Sequence, residues 1–144
     1  MKIQTLRTFT MLTLVLLLTA VSVCAQSERS GVLNIPFNFT VQGKTLPAGE
    51  YTIEPNRRDY DKIWLVQSKD GGTSVLFTTT RVQGRETQEK TKLIFHRYGD
   101  QYFLSQIWTP GGNSGRELLM NRRERELAKN GIERQMIVLA DARR

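Results

Sequence analysis

Residues 93 to 108, LIFHRYGDQYFLSQIW, constrain the fold more than any other stretch, because two runs of alternating side chains are separated only by Gly99-Asp100. Alternation with a period of two belongs to a strand with two unlike faces, and a two-residue loop containing glycine joins such strands into an antiparallel hairpin. With Gly99 and Asp100 as the loop, one face pairs Phe95 with Leu104, Leu93 with Gln106, Arg97 with Tyr102 and Thr91 with Trp108. The other face pairs His96 with Phe103, Ile94 with Ser105 and Lys92 with Ile107. This register makes Phe95, Leu104 and Trp108 neighbours on a common core face.

The hairpin also holds the only histidine of the chain, His96, with Asp100 and Ser105 nearby in sequence. The register sets His96 and Ser105 on a diagonal, roughly 7 Å apart at Cβ. Asp100 lies in the turn, where it is badly placed to orient an imidazole, so the three residues do not read as a nucleophile, base and orienting acid. A strand histidine covered by a short helix through Leu127 is the expectation.

Other segments repeat the pattern. In VLNIPFNFTV, residues Ile35, Phe37, Phe39 and Val41 share one side, and Pro36, which has no N–H for a ladder, predicts a sheet edge or a break. Asn38 and Thr40 form a glycosylation sequon on the opposite, outward side. Gln42-Gly43 is a turn signal, and LPAG, with Pro47 and Gly49, predicts a rigid corner leading into a strand through Tyr51 and Ile53. KIWLVQSKDGGTSVLFTT reads as a second hairpin about Asp70-Gly71, with Trp64 opposite Phe77 and Val66 opposite Val75. RVQGRETQEK is a polar connection, and TPGGNSG is a flexible loop without the lysine of a phosphate cradle.

The C-terminal third changes character. NRRERELAKNG predicts a short helix with Asn121 as N-cap, Glu124 as its capping-box partner and Gly131 as the stop. Its apolar content is only Leu127 and Ala128, so it docks by one corner. The tail is compatible with a closing strand from Met136 to Leu139, with a helix as the alternative.

The N-terminus bears on compartment. Lys2 and Arg7 precede a run of 15 residues from Phe9 to Val23 that includes four hydroxyl side chains, followed by the small-residue pattern before Gln26. This predicts a signal peptide over 1–25, cleaved after Ala25, and a single β-rich domain over 26–144. A retained anchor would need roughly 20 apolar residues, and Val23 before Cys24 departs from a lipid-attachment motif. Cleavage would remove the sole cysteine, leaving neither disulfide nor thiolate ligand. It would also remove two of the 21 basic residues, which stand against 14 acidic ones. The basic excess that remains suits an anionic envelope polymer or glycan as partner. Export weighs against nucleic acid, and no transmembrane segment is expected after cleavage.

These residues supply little chemistry. One histidine cannot build a zinc or copper site without several carboxylates, and Asp59 and Asp61, read as part of a polar loop, lack a calcium-loop pattern. No cofactor, metal ligand or catalytic residue is therefore assigned, and the ligand-binding residues are unknown. Glu50 and Glu54 are the acids in the first-half strand regions that a carboxylate-dependent glycan hydrolase would draw on.

The segments IPFNFTVQGKTLPAGEYTI and KLIFHRYGDQYFLSQIWTPGGNSGRELLMNRRERELAK resemble a group of small exported proteins frequent in acidobacteria. Shared features are the Ile-Pro-Phe-x-Phe strand, the Leu-Pro-Ala-Gly-x-Tyr corner, the His-Arg-Tyr-Gly-Asp hairpin and the Glu-Arg-Glu helix, within residues 32 to 129. The resemblance implies export and a β-rich fold, and it carries no activity or site residue.

The fold expected is all-β: a small antiparallel sandwich or partly closed barrel of six or seven strands with one short C-terminal helix. Its first functional reading is a non-catalytic binding or structural module of the cell envelope. A barrel-type carrier of an apolar ligand, with a cavity lined by Trp64, Phe77, Phe95 and Trp108, is the second. A carboxylate-dependent glycan hydrolase is the third.

Overall fold

A computed structural model describes residues 31–140. The signal peptide expected over 1–25, the start expected at Gln26 and the last four residues lie outside the described residues. The strands in chain order are β1 (Val32–Ile35), β2 (Phe39–Val41), β3 (Lys44–Leu46), β4 (Gly49–Asn56), β5 (Asp59–Ser68), β6 (Ser74–Gln83), β7 (Lys92–Tyr98), β8 (Gln101–Trp108), β9 (Ser114–Leu118) and β10 (Arg134–Ala140), with one helix, α1 (Arg122–Lys129), before the last strand. Among the described residues the fold is all-β with a single short helix and an unclosed sheet. The described residues form ten strands rather than six or seven. The additional ones are short: the break at Pro36 divides one expected strand into β1 and β2, β3 is three residues beyond the Gln42-Gly43 turn, and β9 is polar and pairs with β6, about 35 residues away in the chain, so alternation does not mark it.

The sheet folds over through β6. Its first half, Ser74–Thr78, pairs with β5, whereas its second half, Thr79–Gln83, pairs with β9. One layer is therefore β1-β4-β5-β6, and the other runs from β6 through β9, β8 and β7 to β10, with β2-β3 beside the first half of β8. The pairing of β2 with β8 is parallel, through Thr40 and Phe103, so the sheet is mixed and not wholly antiparallel. Pro36 marks the crossing between layers: β1 pairs with β4, and three residues after β1 ends, β2 begins in the other layer. The run from Val32 to Val41 is thus broken at Pro36, as the missing N–H demands.

Residues from both layers meet in one core. Ile35, Tyr51, Val66 and Phe77 from one layer pack with Phe39, Leu93, Phe95 and Ile107 from the other. Aromatic rings fill its centre: Phe39 meets Tyr51 edge-on at 5.1 Å and Phe95 at 5.6 Å, and Phe37 stacks on Tyr102 at 3.9 Å. Such ring pairs contribute beyond the area they bury.

Both hairpin registers expected at the turns are present. Trp64 faces Phe77 and Val66 faces Val75, although the loop is longer than two residues, because Ser68 N–H bonds to the Thr73 carbonyl and Asp70 Oδ1 accepts from Gly72 N–H. In the other hairpin His96 faces Phe103, Phe95 faces Leu104 and Tyr98 faces Gln101. Gly99 there has φ +62° and Asp100 does not have a positive φ, which is the type II′ arrangement.

Beyond Phe95 this register shifts. Ile94 pairs with Gln106 and Leu93 with Ile107, so Ser105 is a bulge residue without an opposed partner. The expected pairs Leu93–Gln106, Ile94–Ser105, Lys92–Ile107 and Thr91–Trp108 do not form. The bulge reverses the faces of the rest of β8: Ile107 joins Leu104 in the core, and Trp108 turns to the outer face. There its indole packs against two glycines; a Cβ on Gly115 would lie 2.6 Å from the ring and one on Gly84 2.8 Å from it. The TPGGNSG segment is less free than its composition suggests, since backbone bonds Gly84 N to Asn113 O, Gln88 N to Gly112 O and Gly111 N to Gln88 O tie it to the preceding connection.

Candidate functional site

The outer face of the β10-β7-β8 layer collects the chain's unusual residues. Its rows, read across the three strands, are Arg134-Tyr98-Gln101, then Met136-His96-Phe103, then Val138-Ile94-Gln106. The helix α1 covers one end of this face. Asn121 caps it by accepting from Glu124 N–H at 2.7 Å, as its position predicts. The Glu124 carboxylate departs from the capping-box expectation and meets His96 Nδ1 at 2.8 Å. Leu127, one turn along, packs with Tyr98 and Phe103, whose rings meet edge-on at 5.9 Å. The helix is thus held by one apolar plug and one polar pair, while Arg122, Arg123, Arg125 and Lys129 stay exposed.

The His96–Glu124 pair is nearly out of solvent, with side chains 13% and 6% exposed. An ionised carboxylate can only accept, so a neutral imidazole facing it carries its proton on Nδ1. That is how a carboxylate orients a histidine for base chemistry, yet among the described residues no hydroxyl bonds to the ring. Ser105 sits on the bulge and not on the diagonal of an even ladder. Asp100 stays in the turn, away from this pairing, as expected.

Beside the pair, the Tyr98 hydroxyl is buried, and Glu124 and Arg134 both approach it without completing a hydrogen bond of good geometry. Burial, and then the Glu124 charge, push its ionisation above the usual phenol range. A raised folded value means stability that is present below the ordinary phenol pKa of about 10 and lost as the pH rises beyond it. Tyr98→Phe should therefore keep neutral-pH stability within about 1 kcal/mol, since it deletes an unpaired group, and should flatten the alkaline loss. Urea unfolding at pH 7 and at about pH 10.5 checks both; a neutral-pH loss well above that size would show that the hydroxyl is bonded.

A concavity with a volume of about 480 Å³ lies between the LPAG corner and the β5-β6 loop. The corner is rigid, as expected: Tyr51 donates to the Pro47 carbonyl at 2.6 Å, and Asn38, the sequon asparagine, accepts from Ala48 N–H. Glu50 pairs with Lys69 at 2.6 Å, and Asp70 accepts from the Ser68 hydroxyl at 2.5 Å. That bond, with the one from Gly72 N–H, holds the Asp70 carboxyl below the usual carboxylate range. A glycosidase needs one acid pushed upward so that it can donate a proton, and Asp70 is shifted the opposite way. The polar groups of this cleft build its turn.

Asp59 and Asp61 are not in a loop, as their polarity suggested, but at the start of β5. Asp59 accepts from Lys62 N–H. Asp61 Oδ1 receives Arg81 and Arg116, both at 2.8 Å, and these bonds lower its ionisation. An oxygen so engaged is a poor calcium ligand. Among the described residues no group of three or more His, Cys, Asp or Glu gathers as a metal site.

The cavity expected for a carrier, between Trp64, Phe77, Phe95 and Trp108, is not formed by these four residues. Trp64, Phe77 and Phe95 are packed into the core, with Trp64 Nε1 unpaired, and Trp108 lies on the outer face. Sequence reasoning missed the exposed apolar residues Met136 and Val138, which are 62% and 51% exposed on the outer side of β10. Their parity relative to the core partners Ile137 and Leu139 could have disclosed them. No helix among the described residues is long and apolar enough to cross a membrane. No protein-family model matches the chain, and neither a curated protein nor a solved structure matches it.

Proposed function

We propose that the chain is an exported, non-catalytic binding module of the bacterial cell envelope that works through its outer surface. The observation that carries this reading is the filled interior: Tyr51, Phe39, Phe77 and Phe95 occupy the space a carrier would keep for its ligand. The cleft acids are engaged in turn and ion-pair contacts, which removes the motive for the hydrolase reading. The basic excess of the chain, the leader-like N-terminus and the resemblance to exported acidobacterial proteins support an anionic partner outside the inner membrane.

Incubation of the chain from Gln26 onward with isolated envelope material, followed by sedimentation and a salt wash, tests it. Retention that weakens with salt is expected, because exposed charges are screened within about 10 Å at 0.1 M salt. Release of sugar from envelope glycan by the purified chain, or no retention at low salt, would overturn it.

A further inference from the structure

We infer that the outer face around α1 is a docking surface for an anionic phospholipid bilayer, with the helix arginines meeting headgroups and the flanking apolar side chains entering the interface. The inference deepens the envelope-module reading and rests on it. Four of the five large apolar side chains that the described residues leave exposed belong to the two segments that flank the helix. Leu119, 74% exposed, precedes α1; Ile132, Met136 and Val138 follow it. Met136 and Val138 continue the same sheet face that α1 covers, since they pair with His96 and Ile94 on β7. Exposed basic groups lie in the same segments: Arg122, Arg123, Arg125 and Lys129 on the helix and Arg134 at the start of β10, against exposed Glu133 and Glu126, the latter paired with Arg122 at 3.1 Å. Glu124, the remaining acid of the helix, is turned inward to His96 and adds no repulsion at the surface.

Charge decides among the possible occupants. A second copy would bring the same basic face and the same net excess, so association through this surface would set like charges together. A soluble polyanion would satisfy the arginines but give nothing to Leu119, Ile132, Met136 and Val138. A bilayer surface with anionic headgroups takes both at once: basic groups near it are attracted to the negative surface potential, and apolar side chains gain by entering the interfacial layer. Large exposed apolar residues rimmed by charge are the pattern of such a surface.

The test is co-sedimentation of the purified chain with vesicles of phosphatidylcholine alone and with vesicles containing about one third phosphatidylglycerol. Binding to the second, at least tenfold above the first and reversed by high salt, is expected. Two variants that leave the core untouched separate the contributions. Arg122→Gln with Arg125→Gln should weaken binding roughly tenfold or more, and Met136→Gln with Val138→Thr should weaken it at unchanged charge; circular dichroism confirms that both remain folded. Equal binding to neutral vesicles, no binding, or indifference to the apolar pair would overturn the inference. So would tighter binding to dextran sulfate or a soluble poly-glutamate peptide than to the anionic vesicles. Envelope retention that survives delipidation of the envelope, together with failure on vesicles, would overturn the lipid surface while leaving the module reading standing; failure of both assays would end both.

Discussion

Replacing Phe95 with alanine is expected to destabilise the fold by about 3 to 5 kcal/mol, the range for truncating a fully enclosed ring. Phe95 has no solvent exposure and touches Phe37 edge-on at 5.2 Å and Phe39 at 5.6 Å. It stands where β2, which comes from the early part of the chain, meets the central hairpin. Its loss would leave a void that neighbouring strands, hydrogen-bonded on both sides, cannot collapse into. A total stability of 5 to 15 kcal/mol is usual for a domain of this kind, so the variant should sit near its folding threshold. Urea denaturation monitored by circular dichroism gives the difference; a loss below about 1 kcal/mol would mean that the ring does not occupy the junction of the layers. Trp108, on the outer face against Gly84 and Gly115, should respond differently, since its surroundings are backbone and not core side chains.

The second large effect is expected from His96→Leu, at about 2 to 4 kcal/mol, because it strands the buried Glu124 carboxylate without its donor. The local architecture limits this cost. Helix α1 is fixed by Leu127 and Glu124, so the molecule can relieve the stranded charge by letting the helix lift while the sheet persists. The expected signature is rapid amide exchange across Arg122–Lys129 with protection retained in β7 and β8. Glu124→Gln added to His96→Leu should recover a good part of the loss, since a neutral amide is cheaper to leave with incomplete bonding. His96→Gln keeps a donor near the carboxylate and should cost less than His96→Leu. Uniformly faster exchange in helix and sheet together would contradict a locally docked helix, and no recovery in the double variant would contradict the pair as the source of the effect.

How far the sequence reached depends on the range over which each feature is decided. The turns at Gln42-Gly43, Asp70-Gly71 and Gly99-Asp100 were legible because a two-residue signal sets local φ values, and Gly43, Gly71 and Gly99 all have positive φ. Registers near those turns followed, as did the break at Pro36, the Asn121 cap and the Leu127 anchor. In β8 the same method failed a few residues beyond the turn. The run FLSQIW carries apolar residues at both parities, so alternation cannot reveal that Ser105 is skipped; the core on one side and Gly84 and Gly115 on the other determine which residues turn inward.

What the sequence by itself determined is therefore everything enforced by the backbone within a few residues: strand character, turn positions, capping, and the hairpins that those imply. Only the tertiary structure decided that β2 would pair in parallel with β8, that polar β9 would join the sheet, and that Glu124 would leave its helix cap for His96, 28 residues away. Those choices arise from burial shared between segments distant in the chain. A carboxylate takes whichever donor is desolvated beside it, and a short strand joins whichever edge is left open, so neither outcome is written in the neighbouring residues.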